Sequence, residues 1–180
     1  MKKILVVVDY QKDFVDGALG FPGAENLDPK IVAIVNEYLK NGDTVFYTMD
    51  THTENYLETR EGKQLPVPHC IINTPGWELY GETGKLLKDG VNATMLKKAT
   101  FGVSPFDMTS ELFKFNEDVE SIEIVGLVTN MCDISVAVTM QARFPNAQII
   151  VRADHVDSFD KTLHEKALDV MAGMQMKVIR

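Results

Sequence analysis

The stretch KKILVVVD, residues 2–9, sets five apolar residues in unbroken succession between two lysines and a carboxylate. A strand with one wet face alternates apolar and polar residues, whereas a strand covered on both faces need not. The run Lys3 to Val8 therefore reads as a central strand of a parallel sheet. Similar short runs recur at Thr44 to Met49, Ala93 to Leu96, Ser121 to Val125, Ala147 to Val151 and Lys177 to Ile179. Helical spacing fills several of the gaps. Leu27 to Lys40 places Ile31, Ile34, Val35 and Leu39 on one face and meets a stop at Asn41-Gly42. Cys132 to Arg143 carries Ile134, Val138 and Ala142, and Lys161 to Met174 carries Leu163, Ala167, Leu168 and Met171. Strands alternating with helices predict an α/β fold with a mostly parallel six-stranded sheet and helices on both faces.

A chain of 180 residues suits one well-buried domain, spanning 1–180, and no repeat or linker divides it. The net charge of −8 argues against nucleic acid or an anionic membrane as the main partner. The apolar start is too short for a signal-peptide core, and no later run approaches membrane-spanning length. The two cysteines, Cys70 and Cys132, form neither a disulfide framework nor a CxxC pair, so a reducing, cytoplasmic setting is expected. The longest irregular stretch, His52 to Trp77, is of a size that usually serves function.

In parallel sheets ligands bind beyond the carboxyl ends of the strands, which makes the residues there the first candidates for chemistry. The first strand ends in Asp9. That carboxylate is either a turn residue or a general base raised by desolvation. Gly17, Gly20 and Gly23 start too late and are spaced wrongly for a dinucleotide-binding fingerprint. The second strand ends in Met49-Asp50-Thr51-His52. Asp50, His52 and His69, with Glu54, Glu58 or Glu61, would make a mixed nitrogen and oxygen ligand set for zinc, manganese or iron. The bland alternative is a pair of unrelated surface histidines. The third run ends in Lys97-Lys98, which alone reads as a solvated edge. After the fourth, GLVTNMCDIS (residues 126–135) sets Cys132 at a helix start, where free N–H groups favour a thiolate or an oxyanion. A buried structural cysteine is the competing reading. Acid, lysine, cysteine and ligand cluster at one sheet edge are more economically one site, with Asp9 and Lys98 activating Cys132.

These residues resemble the isochorismatase-like cysteine hydrolases, in particular their nicotinamidase/pyrazinamidase group. DYQKDF with DGALGFPGAE is similar to the family's opening segment, KKATFGVSPF to its Lys-x-x-aromatic segment, and GLVTNMC to its Gly-x-x-Thr-x-x-Cys signature. The resemblance implies a single Rossmann-like three-layer domain and a catalytic triad of Asp9, Lys98 and Cys132. It also implies a cis peptide between Leu127 and Val128 and an oxyanion hole from the amides of Val128 and Cys132. The metal site carries over onto Asp50, His52 and His69, with Glu61 as the first choice of fourth ligand and Glu58 the second. A divalent ion is implied, zinc first and manganese or iron next. Phe14 matches one aromatic that stacks on the substrate ring. Pro66 stands where a second is expected, and Trp77 is a candidate replacement. Val128, Asn130 and Met131 depart from the signature.

The expected activity is cysteine-dependent amide hydrolysis through a thioester, with nicotinamide to nicotinate and ammonia first, which would place the chain in NAD metabolism. The alternatives are another amide, such as a carbamoyl or ureido compound, or a non-catalytic binding module with a redox-sensitive Cys132. The expected partner is a small-molecule amide, with neither nucleic acid nor membrane, and a homo-oligomer is the expected assembly.

Overall fold

In the computed structural model, which describes residues 2–88, 91–104 and 118–180, Ile4 to Val8 are all 0% exposed. Their side chains alternate between two apolar layers, as the pleat of a strand requires. Ile4, Val6 and Val8 pack with Val136, Met140, Leu168 and Met171. Leu5 and Val7 pack with Ile31, Val35 and Leu87 on the other side. Each buried side chain contributes roughly 1.5–3 kcal/mol before the entropy of ordering is subtracted, so this strand anchors both layers at once.

The described strands are β1 (Lys2–Val8), β2 (Thr44–Asp50), β3 (Ala93–Lys98), β4 (Val119–Leu127), β5 (Gln148–Asp157) and β6 (Lys177–Ile179). They form one six-stranded sheet in the order β3-β2-β1-β4-β5-β6, and every pairing is parallel. The described helices are α1 (Lys12–Val15), α2 (Asp28–Lys40), α3 (Arg60–Gln64), α4 (Gly81–Lys88), α5 (Ile134–Arg143) and α6 (Lys161–Gly173). Helices α5 and α6 cover one face of the sheet, while α2 and α4 cover the other. The chain runs outward from β1 to β3 and then crosses back to β4. The carboxyl ends of β1 and β4 therefore flank the point where strand order reverses, and a crevice opens there in such sheets. Among the described residues no helix is long and apolar enough to cross a membrane.

Several boundaries differ from the sequence reading, each for a physical reason. Strand β3 continues through Lys97 and Lys98, with Lys97 exposed and Lys98 buried, so the two lysines are opposite faces of a pleat rather than a wet edge. Strand β5 runs to Asp157 because a register shift lets Gly126 and Leu127 pair with Val156 and Asp157. Its later residues are polar and hid that extension. The buried face of α5 is Val136, Ala137 and Met140 instead of Ile134, Val138 and Ala142. Apolar residues surround that helix, and periodicity there does not select a side. In α6, His164 is buried and Leu163 is 40% exposed. The segment from His52 to Trp77 holds 3₁₀ turns at Tyr56–Glu58 and Pro75–Trp77 as well as α3, whose first turn is capped by Thr59 accepting from the Gly62 amide at 3.0 Å. Pro105 and Phe106 of the KKATFGVSPF segment lie outside the described residues.

One glycine is required where β1 and β4 touch. Gly126 has φ +129°, and a Cβ there would stand 2.1 Å from the Val8 carbonyl oxygen. Gly126→Ala is expected to lower stability by more than about 2 kcal/mol. Urea denaturation monitored by far-UV circular dichroism measures this, and an unchanged midpoint would contradict the close approach.

Candidate active site

Asp50 ends β2, Lys98 ends β3, and the two are register partners across the pairing. Asp9 follows β1 directly and takes φ +43°, a left-handed conformation uncommon for a non-glycine residue. That turn closes with the Gln11 amide donating to the Asp9 carbonyl at 2.7 Å. Thr48 secures the carboxylate, its hydroxyl donating to Asp9 Oδ1 at 2.6 Å and accepting from the Asp9 amide at 3.1 Å. The other oxygen, Oδ2, lies 2.5 Å from Lys98 Nζ.

Lys98 is the centre of the cluster. Its side chain is fully buried, and besides Asp9 its ammonium reaches Asp50 Oδ1 at 3.3 Å, the Thr100 carbonyl at 3.0 Å and Cys132 Sγ at 3.5 Å. Cys132 is 4% exposed and sits in a π-helical turn, Thr129–Asp133, ahead of α5. The α-helix proper begins at Ile134, two residues later than the sequence spacing suggests, because the Asp133 amide reaches back five residues to the Val128 carbonyl at 3.3 Å. The peptide between Leu127 and Val128 is cis.

Burial dominates the protonation of these groups. It raises the Asp9 carboxyl, and the Lys98 charge only partly offsets it. Burial alone would lower the Lys98 ammonium, yet Asp9, Cys132 and Asp50 hold it well above its ordinary range. The Cys132 thiol is pushed well up by burial, against the pull of Lys98 and with Asp9 and Asp50 reinforcing the rise. The structure thus gathers the Cys132 sulfur and the Asp9 carboxyl around one buried ammonium.

A second cluster adjoins the first through Asp50, whose Oδ2 lies 3.1 Å from His52 Nε2 and 3.5 Å from His69 Nε2. Glu61 Oε1 approaches the same two nitrogens at 3.8 and 3.9 Å. His69 places Nδ1 2.8 Å from the Val67 carbonyl. With the ring proton there, Nε2 presents a lone pair toward two carboxylates, an arrangement that favours a shared cation. Ligand atoms of Asp50, His52 and His69 all lie within 4.8 Å of one another, and the set suits a divalent ion that accepts nitrogen and oxygen ligands. Glu58, the second choice for the fourth ligand, is exposed in its 3₁₀ turn.

Three residues that the sequence reading passed over hold this arrangement. The Gln11 side chain clamps the end of β2, accepting from the Asp50 amide at 2.8 Å and donating to the Asp50 carbonyl at 3.0 Å. Asp13 accepts from the Cys70 amide at 2.7 Å and so pins the returning loop beside His69. The Tyr56 ring stands 4.7 Å from that of His52 and 5.0 Å from that of His69, and its hydroxyl donates to the Leu65 carbonyl at 3.0 Å. Local spacing showed the DYQKDF segment as a unit but not these distant partners.

Both clusters open into one cavity of about 370 Å³, reached by Asp50, Glu61, His69 and Cys132 and otherwise walled mainly by apolar side chains. Phe14 is in that wall, edge-on to His69 at 5.5 Å, as are Val128 and Met131. The wall residue near Pro66 is Leu65, and Phe101 and Phe159 contribute further rings. Trp77 does not replace the missing aromatic. It lines a different depression with Tyr47 and Met95 and donates Nε1 to Thr51 at 2.9 Å.

A parallel sheet that gathers a lysine, two carboxylates and a cysteine on its carboxyl rim defines a three-layer α/β protein with a built polar centre. The chain belongs to the isochorismatase family, whose domain model, described as the isochorismatase domain, matches residues 3–180. It is 32% identical over 181 residues to the uncharacterized isochorismatase family protein PncA of Bacillus subtilis strain 168, covering 96% of both chains. The fold matches the crystal structure of nicotinamidase/pyrazinamidase PncA from Bacillus subtilis with TM-score 0.86 at 28% identity, covering 100% of both chains. It matches the pyrazinamidase of Pyrococcus horikoshii in complex with zinc with TM-score 0.84 at 25% identity, over 100% of this chain and 99% of that one.

One buried group stands outside both clusters. Asp133 is 0% exposed, and neither carboxylate oxygen has a hydrogen-bond partner among the described residues. Burial, reinforced by Asp9 and by Asp157 against the pull of Lys98, raises its carboxyl well above the usual range. The folded state thus binds a proton that the unfolded state releases above about pH 4. Stability is lost as pH rises through that window, by on the order of 1 kcal/mol per pH unit. Asp133→Asn removes this dependence, so its melting temperature is expected to gain on the parent by several degrees between pH 5 and pH 7.5. A difference that stays flat across that range in differential scanning calorimetry would contradict a neutral buried acid.

Proposed function

We propose that residues 1–180 act as one hydrolase domain that cleaves a small primary carboxamide through a thioester on Cys132, with nicotinamide to nicotinate and ammonia as the first candidate. The observation that carries this reading is the contact of Lys98 with Asp9 at 2.5 Å and with Cys132 at 3.5 Å beside the Asp50, His52 and His69 cluster. Nicotinamidase and pyrazinamidase relatives with the same fold support the choice of amide.

Asp9 takes the proton from Cys132 Sγ as the sulfur attacks the amide carbonyl, and a carbon–sulfur bond forms. Lys98 stays protonated and offsets the charge passing between thiolate and carboxylate. The carbonyl oxygen becomes an oxyanion on the backbone amides of Val128 and Cys132. Collapse breaks the carbon–nitrogen bond, and Asp9 delivers its proton to the departing ammonia. Water then attacks the thioester while Asp9 accepts its proton. The carbon–sulfur bond breaks, and the thiol is restored as the acid leaves. Asp50, His52, Glu61 and His69 would hold a divalent metal, zinc first. When bound, such an ion supplies a Lewis-acidic anchor for the ring nitrogen and thereby orients the substrate. Phe14 covers one face of that ring.

Cys132→Ala is expected to abolish ammonia release from nicotinamide, by at least about 1,000-fold, while leaving the circular dichroism spectrum unchanged. Full activity in that variant would eliminate the thioester route. Exhaustive chelation is expected to lower kcat/KM for nicotinamide, with zinc restoring it. Tyr56→Ala should weaken zinc retention about 10–100-fold in a chelator competition. Activity indifferent to chelation would remove the metal from the reading.

A further inference from the structure

The cavity exceeds what one amide-bearing ring needs. At about 370 Å³ it falls within the range of pockets that enclose drug-sized ligands. Of its polar groups, Cys132 and Asp50 are each 4% exposed, His69 is 2% exposed, and Glu61 is half-buried. Its mouth carries two bare rings, Phe101 at 40% and Phe159 at 56% exposure. The hydrolysis of nicotinamide gives neither of them a task.

Phe159 is held in that exposed position from both sides. Ser158 is fully buried and donates its hydroxyl at 2.6 Å to Asn130, a member of the turn that carries Cys132. Asp160 caps α6 by accepting from the Leu163 amide at 2.9 Å. The Phe159 ring itself meets Phe21 edge-on with centroids 6.3 Å apart. An exposed apolar ring fixed in this way presents a preorganised contact surface, since little freedom is lost when a ligand covers it. Leu19 adds a third apolar side chain to the same wall, and Leu65, next to Pro66 where an aromatic was expected, flanks it.

We propose that the preferred substrate is a primary carboxamide whose ring carries an apolar extension of several carbons, seated against Phe101 and Phe159. This inference rests on the amide-hydrolase reading above and goes beyond it in naming the substrate class. The amide end lies at Cys132, and the extension removes both rings from water as it binds.

The test compares ammonia release from nicotinamide with that from its 5-propyl and 6-propyl derivatives, using the zinc-loaded enzyme. One of the two derivatives is expected to show kcat/KM at least about tenfold above nicotinamide, in keeping with the burial of a few methylene groups. Phe159→Ala should reduce that ratio about fivefold. If nicotinamide is hydrolysed and neither derivative surpasses it, the inference is overturned while the amide reading stands. It is likewise overturned if Phe159→Ala lowers all three rates in equal proportion. If no ammonia is released from any of them, the amide reading fails and this inference with it.

Discussion

The Lys98 ammonium, sealed from water among Asp9, Asp50 and Cys132, is the interaction on which the rest of the centre depends. A lone buried ammonium is very costly, and removing one partner of a buried ion pair typically costs about 3–5 kcal/mol. Two carboxylates and the Thr100 carbonyl compensate it. Those partners come from three neighbouring strands, so the charge is stable only once β1, β2 and β3 are paired in register. The same ammonium links the thiol to the histidine cluster, because Asp50 turns one oxygen to Lys98 and the other to His52 and His69.

The backbone yields to this arrangement at the end of β1. Asp9 adopts a left-handed conformation that costs on the order of 1 kcal/mol for a side-chain-bearing residue. An extended continuation would keep the chain running straight along the strand, with side chains standing off the sheet. The turn instead leaves Asp9 between Thr48 and Lys98 and starts the chain toward Gln11, whose amide group fastens β2. One short segment thus supplies a buried carboxylate beside Lys98, two clamps and, in Phe14, a cavity wall.

Legibility in the sequence followed the range of the interactions. The apolar run of β1 announced a doubly covered strand because both layers leave their mark on adjacent residues. Asp9, Asp50 and Cys132 stood out for lying at strand ends, a position that spacing alone reveals. The Lys-x-x-aromatic segment pointed to Lys98 rather than Lys97, and the pleat of β3, which runs beyond its apolar core, gives the physical reason. Glu61 and Glu58 were indistinguishable by type, and the fold of the loop between His52 and His69 brings Glu61 near both histidines while Glu58 is exposed. Gln11, Asp13 and Tyr56 act on partners that neighbouring sequence does not show. Phe101 is the aromatic of the Lys-x-x-aromatic segment, whereas Phe159 comes from a separate loop, and an exposed phenylalanine there carries no signal until a cavity lies beside it.

The all-parallel sheet also divides the molecule into two rims with unequal obligations. On one lie Asp9, Asp50, Lys98 and the turn before α5. On the other, among the described residues, the returns from helix to strand at 41–43, 144–147 and 174–176 are brief. No candidate chemical group comes from those returns, and they serve only to reverse the chain. Evolution can therefore lengthen or recompose that side at little catalytic risk. Changes in what the protein accepts must come from the loops of the opposite rim, where the walls of the cavity and the anchors of its centre share the same few residues.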